Sequence, residues 1–157
     1  MEGSYNKTFN ITLLIVRVFL GSVIAGHGAQ KLLGWFDGFG FASSMNFFTE
    51  KIGLPGVLGF LIIVAESLGM LALIIGLFSR VMAASLIVIM IGAMITVQAE
   101  FGFFMNWFGN KGGEGVEFSL LTIAMAIVVV LNGSGIYSVD HFLSRRFGPN
   151  TQQKIHC

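Results

Sequence analysis

Four apolar runs dominate the chain, and polar or glycine-rich segments separate them. About 20 mostly apolar residues in a helix cross the ~30 Å hydrocarbon core of a bilayer. The pattern therefore predicts an all-α membrane protein, a single domain over residues 1–157 that forms a bundle of four transmembrane helices and ends in a tail at 140–157. The predicted spans are residues 11–33, 55–78, 81–97 and 116–131.

Composition supports this class and excludes several others. Hydrophobic residues make up 55% of the chain and charged residues 11%, whereas a soluble domain carries roughly 25% charged residues. With a net charge of +1, no basic run and no phosphate-binding loop, the chain gives no indication of nucleic-acid binding. Cys157 is the only cysteine, and His27 is the only histidine in an apolar run. We therefore expect no disulfide, no haem and no metal site.

Basic residues predict the orientation. The short segment around Ser79 makes the second and third spans a hairpin, so the loops at 34–54 and 98–115 lie together on the opposite side of the membrane. The positive-inside rule then predicts that both termini are cytoplasmic in a multi-pass protein of the inner (plasma) membrane. The turn side carries Lys7, Arg80, Arg145, Arg146 and Lys154, and the opposite side carries Lys31, Lys51 and Lys111.

Ionisable residues inside the spans are the informative ones. Each costs at least ~2.5–3.5 kcal/mol at the bilayer centre and normally faces the bundle interior. Arg17, His27 and Lys31 share one stripe of the first helix, and Gly21 and Gly28 beside it allow another backbone to approach closely. Glu66 lies near the middle of the second span. Because a carboxylate there needs a partner, we expect Glu66 to meet the first helix.

Several polar side chains are expected to converge at the outer ends of the helices. Together they predict a polar pocket that opens to the outer face, has Glu66 as its floor and is lined by aromatic loop residues. A second interpretation is that Glu66 pairs with Arg17 or Lys31 and only holds two helices in register. The candidate catalytic residues are His27 and Glu66, and the candidate ligand-binding residues are Arg17, Gln30, Lys31, Gln98, Glu100 and Glu117.

The order and spacing of these motifs resemble the DoxX family of small four-helix membrane proteins, from about Ile15 to Asp140. At Gln98 the chain departs from the family pattern, which usually has a histidine. The likeness rests on His27-Gly28-x-x-Lys31, Glu66-x-x-Gly69, Gly76-Leu77-Phe78-Ser79-Arg80, Ala93-x-x-Thr96-Val97-Gln98, Gly102-Phe103-Phe104, Glu117 and the segment from Gly133 to Asp140.

The resemblance implies a link to quinone chemistry. Members look like subunits or accessories of quinone-linked oxidoreductases, including a thiosulfate:quinone oxidoreductase. Others associate with superoxide dismutase and a rhodanese-like sulfurtransferase in redox-stress assemblies, or are linked to resistance to quinones and catechols. Quinone is therefore the expected cofactor.

Three hypotheses follow for the function. The favoured one is a membrane component of a quinone-linked oxidoreductase system, in which His27, with Glu66 behind it, hydrogen-bonds a quinone carbonyl and passes a proton. The second is a transport component for quinones or catechols, which would require a homo-oligomer. The third is a scaffold that recruits a soluble redox partner to the cytoplasmic face through the tail that contains Arg145 and Arg146.

Overall fold

The computed structural model describes residues 2–147, with side chains from residue 6 to residue 146. Within this range the chain is helical and contains no β-strand. Lys154, Cys157 and the rest of the predicted tail beyond residue 147 lie outside the described residues.

Six helical elements follow one another between residues 2 and 147. Helix α3 contains a π-helical turn at Ala65–Gly69, and α4 contains one at Met94–Gln98 before it ends in a 3-10 turn. The elements are α1 (Glu2–Leu33), α2 (Gly40–Asn46), which continues as the π-helix Phe47–Lys51, α3 (Gly56–Ile75), α4 (Ser79–Phe101), α5 (Glu117–Asn132) and α6 (Val139–Phe147).

Three of these helices are long and apolar enough to span a membrane: α1 from Asn6 onward, α3 and α4. Helix α5 is apolar but has only 16 residues, so a fourth span there stays a prediction, as does the predicted orientation. Helix α4 runs to Phe101, beyond the predicted end at Val97. The structure thus confirms an all-helical protein of membrane type.

The core lies where α1, α3, α4 and α5 meet. Apolar side chains on the outer surface stay exposed, such as Phe19 at 65% and Val88 at 70%. Lipid tails solvate such side chains as well as a protein interior does, so the outer faces need no polar residues. The buried core comprises Leu20, Ile24, Met70, Leu73, Ala83, Leu86, Met90, Ala126 and Val129.

Glycines bring α1 and α3 into direct backbone contact. A Cβ atom on Gly28 would overlap the backbone carbonyl of Glu66, and one on Gly21 would lie 3.0 Å from the carbonyl oxygen of Met70. Only residues without a side chain permit such an approach. The expected close crossing of the first helix is therefore confirmed, and it brings α1 against the π-helical turn that contains Glu66.

The bundle has two distinct ends. The turn end comprises the tight turn at residues 76–80 and the segment 133–147, and the loop end comprises the segments 34–55 and 102–116. Gly76 and Phe78 reverse the chain at the turn end with φ angles of +78° and +50°. At the loop end α2 packs against both α1 and α3.

Candidate functional site

Three π-helical turns border one cavity, which runs from the loop end along α3 and α4. They are Phe47–Lys51, Ala65–Gly69 and Met94–Gln98, and each contributes residues to the cavity wall. A π-helical turn interrupts the regular hydrogen-bond ladder and occurs frequently at functional sites. Their convergence on a single cavity marks it as the candidate site.

The cavity has a volume of about 1080 Å³ and lies between α3 and α4, with α2 beside it. Its wall is mostly apolar, and Phe39, Phe47 and Phe48 of the loop end contribute aromatic rings. Two of its lining residues, Leu61 and Val88, are 53% and 70% exposed on the outer surface of the bundle. Since that surface faces lipid, the cavity is accessible to a molecule dissolved in the bilayer.

An ion pair joins α1 to α3 at the wall of this cavity. Lys31 Nζ donates a hydrogen bond to Glu66 Oε2, and both residues line the cavity. The Glu66 side chain is 4% exposed and that of Lys31 30%. The expected contact between Glu66 and the first helix is confirmed, and the partner is Lys31 rather than Arg17.

Gln98 supplies a third polar group to the cavity wall. Its Oε1 accepts a hydrogen bond of 2.7 Å from Ser119 Oγ of α5, and Ser119 is fully buried. This bond fixes the amide and leaves its nitrogen as a donor. Ser119 was not among the predicted site residues, although a hydroxyl in an apolar run was a usable signal.

Arg17 lies elsewhere, at the turn end of the bundle. Its side chain is 1% exposed. Nε donates to the carbonyl of Ile74 at 3.2 Å, Nη2 to that of Tyr137 at 2.7 Å, and Nη1 to that of Ser134. The guanidinium therefore ties α1 to α3 and to the segment before α6, and it does not line the cavity.

His27 lies one helical turn before Lys31 on α1, rotated a few tens of degrees toward α5. It is exposed, and its ring centroid is 5.6 Å from that of Phe118 in α5. It occupies the edge of the polar stripe, where the helix surface turns toward α5. His27 is not part of the cavity wall.

The other predicted residues are dispersed around the loop end. Gln30 Nε2 donates to the carbonyl of Phe36 at 3.3 Å, and Glu117 Oε2 accepts from the backbone N–H of Met105 at 3.2 Å. Glu100 is exposed in the last turn of α4. Of the eight candidate residues, the structure thus brings Lys31, Glu66 and Gln98 together at the cavity.

Comparison with known proteins identifies the family of the chain. No solved structure shows a significant match to the chain. A protein of Bacillus subtilis (strain 168) described as "Putative oxidoreductase CatD" is 30% identical over 138 residues, which cover 88% of this chain and 91% of that protein. The DoxX family model matches residues 12–99, a range that includes Lys31, Glu66 and Gln98. The chain therefore belongs to the DoxX family, as its motifs predict.

Proposed function

We propose that this protein is a membrane component of a quinone-linked oxidoreductase system and binds a quinone-like molecule in the cavity between α3 and α4. The observation that carries the proposal is an apolar cavity, accessible from the lipid-facing surface, with an ion pair in its wall. The family and the name of the relative support a redox-related role in the membrane. A quinone is the bilayer-soluble redox molecule that fits these features.

The lining matches the two needs of a quinone. Its carbonyl oxygens require hydrogen-bond donors, which the ammonium of Lys31 and the amide nitrogen of Gln98 can provide. Its ring and isoprenoid tail require apolar walls. Phe47 and Phe48 provide such a wall beside the polar groups, and Leu61 and Val88 provide one toward the lipid. Such a mixture of apolar wall and a few fixed polar groups is typical of small-molecule sites.

The ion pair positions a proton next to the bound oxygen. A quinone supplies the redox chemistry when bound, and the chain binds and orients it. Glu66 holds the ammonium of Lys31 at the cavity wall, so a proton lies within reach of an oxygen that gains negative charge. Because the wall around Lys31 is mostly apolar, the attraction between its ammonium and such a charge is screened less than it would be in water.

The proposal assigns the contact with the head group to Lys31 and Gln98 rather than to His27. The His27 ring lies against Phe118, outside the cavity wall. A role for His27 as a proton donor stays a prediction, which the variant His27→Ala tests. Equal quinone binding by this variant and the wild type would remove His27 from the mechanism.

Two glycines provide a matched test of the cavity. A Cβ atom on either Gly92 or Gly26 meets no atom within 4 Å, so both positions accept a larger side chain. Gly92 lines the cavity, whereas Gly26 does not. We expect Gly92→Phe to lower the affinity for a short-chain menaquinone or ubiquinone analogue about tenfold or more, a loss of ~1.4 kcal/mol or more in binding free energy.

Quinone binding to the purified protein in lipid nanodiscs is measured by the quenching of intrinsic fluorescence. Gly26→Phe is the control and should bind as the wild type does. Unchanged binding in Gly92→Phe, or an equal loss in both variants, would contradict the assignment of the cavity.

A further inference from the structure

A second cavity lies at the turn end of the bundle. It has a volume of about 750 Å³ and lies between the start of α4, the end of α5 and the first turns of α6. We call it the basic crevice, and its lining includes Asn10, Ser79, Arg80, Gly133, His141 and Ser144. Because it lies where transmembrane helices begin and end, it is at the level of the lipid head groups. Its volume is within the range for a small ligand or a head group.

Arg80 is the available cation in the basic crevice. It is exposed, and the one side-chain hydrogen bond that it makes to the described residues runs from Nη2 to the carbonyl of Leu131 at 3.4 Å. Between residues 6 and 146 the ion pair found is Lys31–Glu66, so Arg80 has no acidic partner there. A guanidinium with free N–H groups binds phosphate oxygens in pairs. Arg145 and Arg146, in the last turn of α6, add positive charge to this end.

The acidic residue in the basic crevice does not cancel this charge. Asp140 Oδ1 accepts a hydrogen bond of 2.9 Å from the backbone N–H of Phe78, and Oδ2 accepts one of 3.2 Å from that of Ser79. The carboxylate therefore caps the N-terminus of α4, whose partial positive charge it offsets. It also lies close enough to Arg17 for electrostatic attraction.

The rim of the basic crevice is apolar and exposed. Phe78 is 63% exposed, Val81 60% and Ile136 45%, and all three line the crevice. An exposed cation with free N–H groups, next to an apolar rim, complements a molecule with an anionic head and hydrocarbon chains. Free inorganic phosphate would bind the guanidinium of Arg80 but would make no apolar contact with the rim.

We infer that the basic crevice binds the phosphate head group of an anionic phospholipid, with Arg80 as the principal ligand. Basic sites between transmembrane helices hold lipid head groups in this way, and each basic residue near the surface contributes ~1 kcal/mol. The inference is independent of the quinone cavity, which shares no lining residue with the basic crevice.

Native mass spectrometry of the full chain in mild detergent tests the inference. The probes are phosphatidylglycerol, phosphatidylcholine with the same acyl chains, and inorganic phosphate alone. We expect the wild type to bind phosphatidylglycerol more tightly than phosphatidylcholine, and Arg80→Gln to lose about fivefold in affinity for phosphatidylglycerol. Lys7→Gln removes one positive charge without touching the basic crevice and should bind as the wild type does.

Controls for folding and for charge decide whether a loss of binding comes from Arg80. A circular dichroism spectrum verifies that Arg80→Gln keeps its helices, and Arg80→Lys should recover part of the affinity because it restores the charge. Equal binding of both lipids, or equal loss in Arg80→Gln and Lys7→Gln, would overturn the assignment. Binding of inorganic phosphate as tight as that of phosphatidylglycerol would also overturn it, because the site would then take free phosphate rather than a lipid.

Discussion

Removing the positive charge of Lys31 should destabilise the protein through Glu66. In Lys31→Met the Glu66 carboxylate, 4% exposed, has no cation at its side. Losing one partner of a fully buried ion pair costs about 3–5 kcal/mol. Because the Lys31 side chain is 30% exposed, water partly screens the pair. We therefore expect Lys31→Met to lower the free energy of unfolding by about 2–3 kcal/mol.

Removing the carboxylate of Glu66 instead should cost less stability than removing Lys31, and removing both charges should cost little. In Glu66→Leu the flexible Lys31 can move its ammonium toward water, so the expected loss of unfolding free energy is about 1 kcal/mol. In Lys31→Met/Glu66→Leu no charge is left behind, and stability should return to within about 1 kcal/mol of the wild type. The double variant should nevertheless bind quinone poorly, because it lacks the ammonium donor.

Thermal unfolding in detergent, monitored by circular dichroism, measures these differences. For a chain of this size 1 kcal/mol corresponds to about 2–4 °C in Tm, so Lys31→Met should unfold about 4–12 °C below the wild type. Lys51→Met, which removes an exposed cation at the same end, should shift Tm little. If the double variant were as unstable as Lys31→Met, or if Lys31→Met had no effect, the buried ion pair would not be the source of stability.

Substitutions of Arg17 and of Gly28 test the packing of α1. Arg17→Met deprives the carbonyls of Ile74, Ser134 and Tyr137 of their donor and should cost about 3 kcal/mol or more in unfolding free energy. The stability of Arg17→Lys should fall between that of Arg17→Met and that of the wild type, because one ammonium cannot reach all three carbonyls. Chemical unfolding in a mixed detergent compares the three proteins. Gly28→Val should lower Tm in the same thermal assay, since the valine side chain would collide with the backbone of α3 at a cost of about 1–3 kcal/mol. Gly26→Val is the control, and an equal loss of stability in that variant would contradict this explanation.

The apolar pattern predicted the helices well, because a lipid environment requires long apolar runs whatever their tertiary partners. The contact between Glu66 and the first helix was also predictable, since a carboxylate in mid-span needs a partner and the glycines of α1 indicate where another backbone comes close. Both inferences use a single strong physical constraint, the cost of a polar group in hydrocarbon.

The sequence pattern could not show which polar residues share a cavity. His27 and Lys31 are one helical turn apart, yet the ring of His27 faces Phe118 while Lys31 meets Glu66. A difference in rotation of a few tens of degrees about the helix axis decides between these surroundings, and hydrophobic periodicity does not resolve it. The π-helical turns were equally hidden, because a single wide turn leaves no repeat in the sequence.

The three carbonyl acceptors of Arg17 have a consequence for biosynthesis. Two of them, on Ser134 and Tyr137, are 117 and 120 residues further along the chain. A ribosome makes the N-terminus first, so α1 is synthesised with a guanidinium whose main acceptors do not yet exist. The first helix therefore reaches its final surroundings only when residues up to Tyr137 are made, and a nascent chain that stops after α5 offers the guanidinium one of its three acceptors, the carbonyl of Ile74.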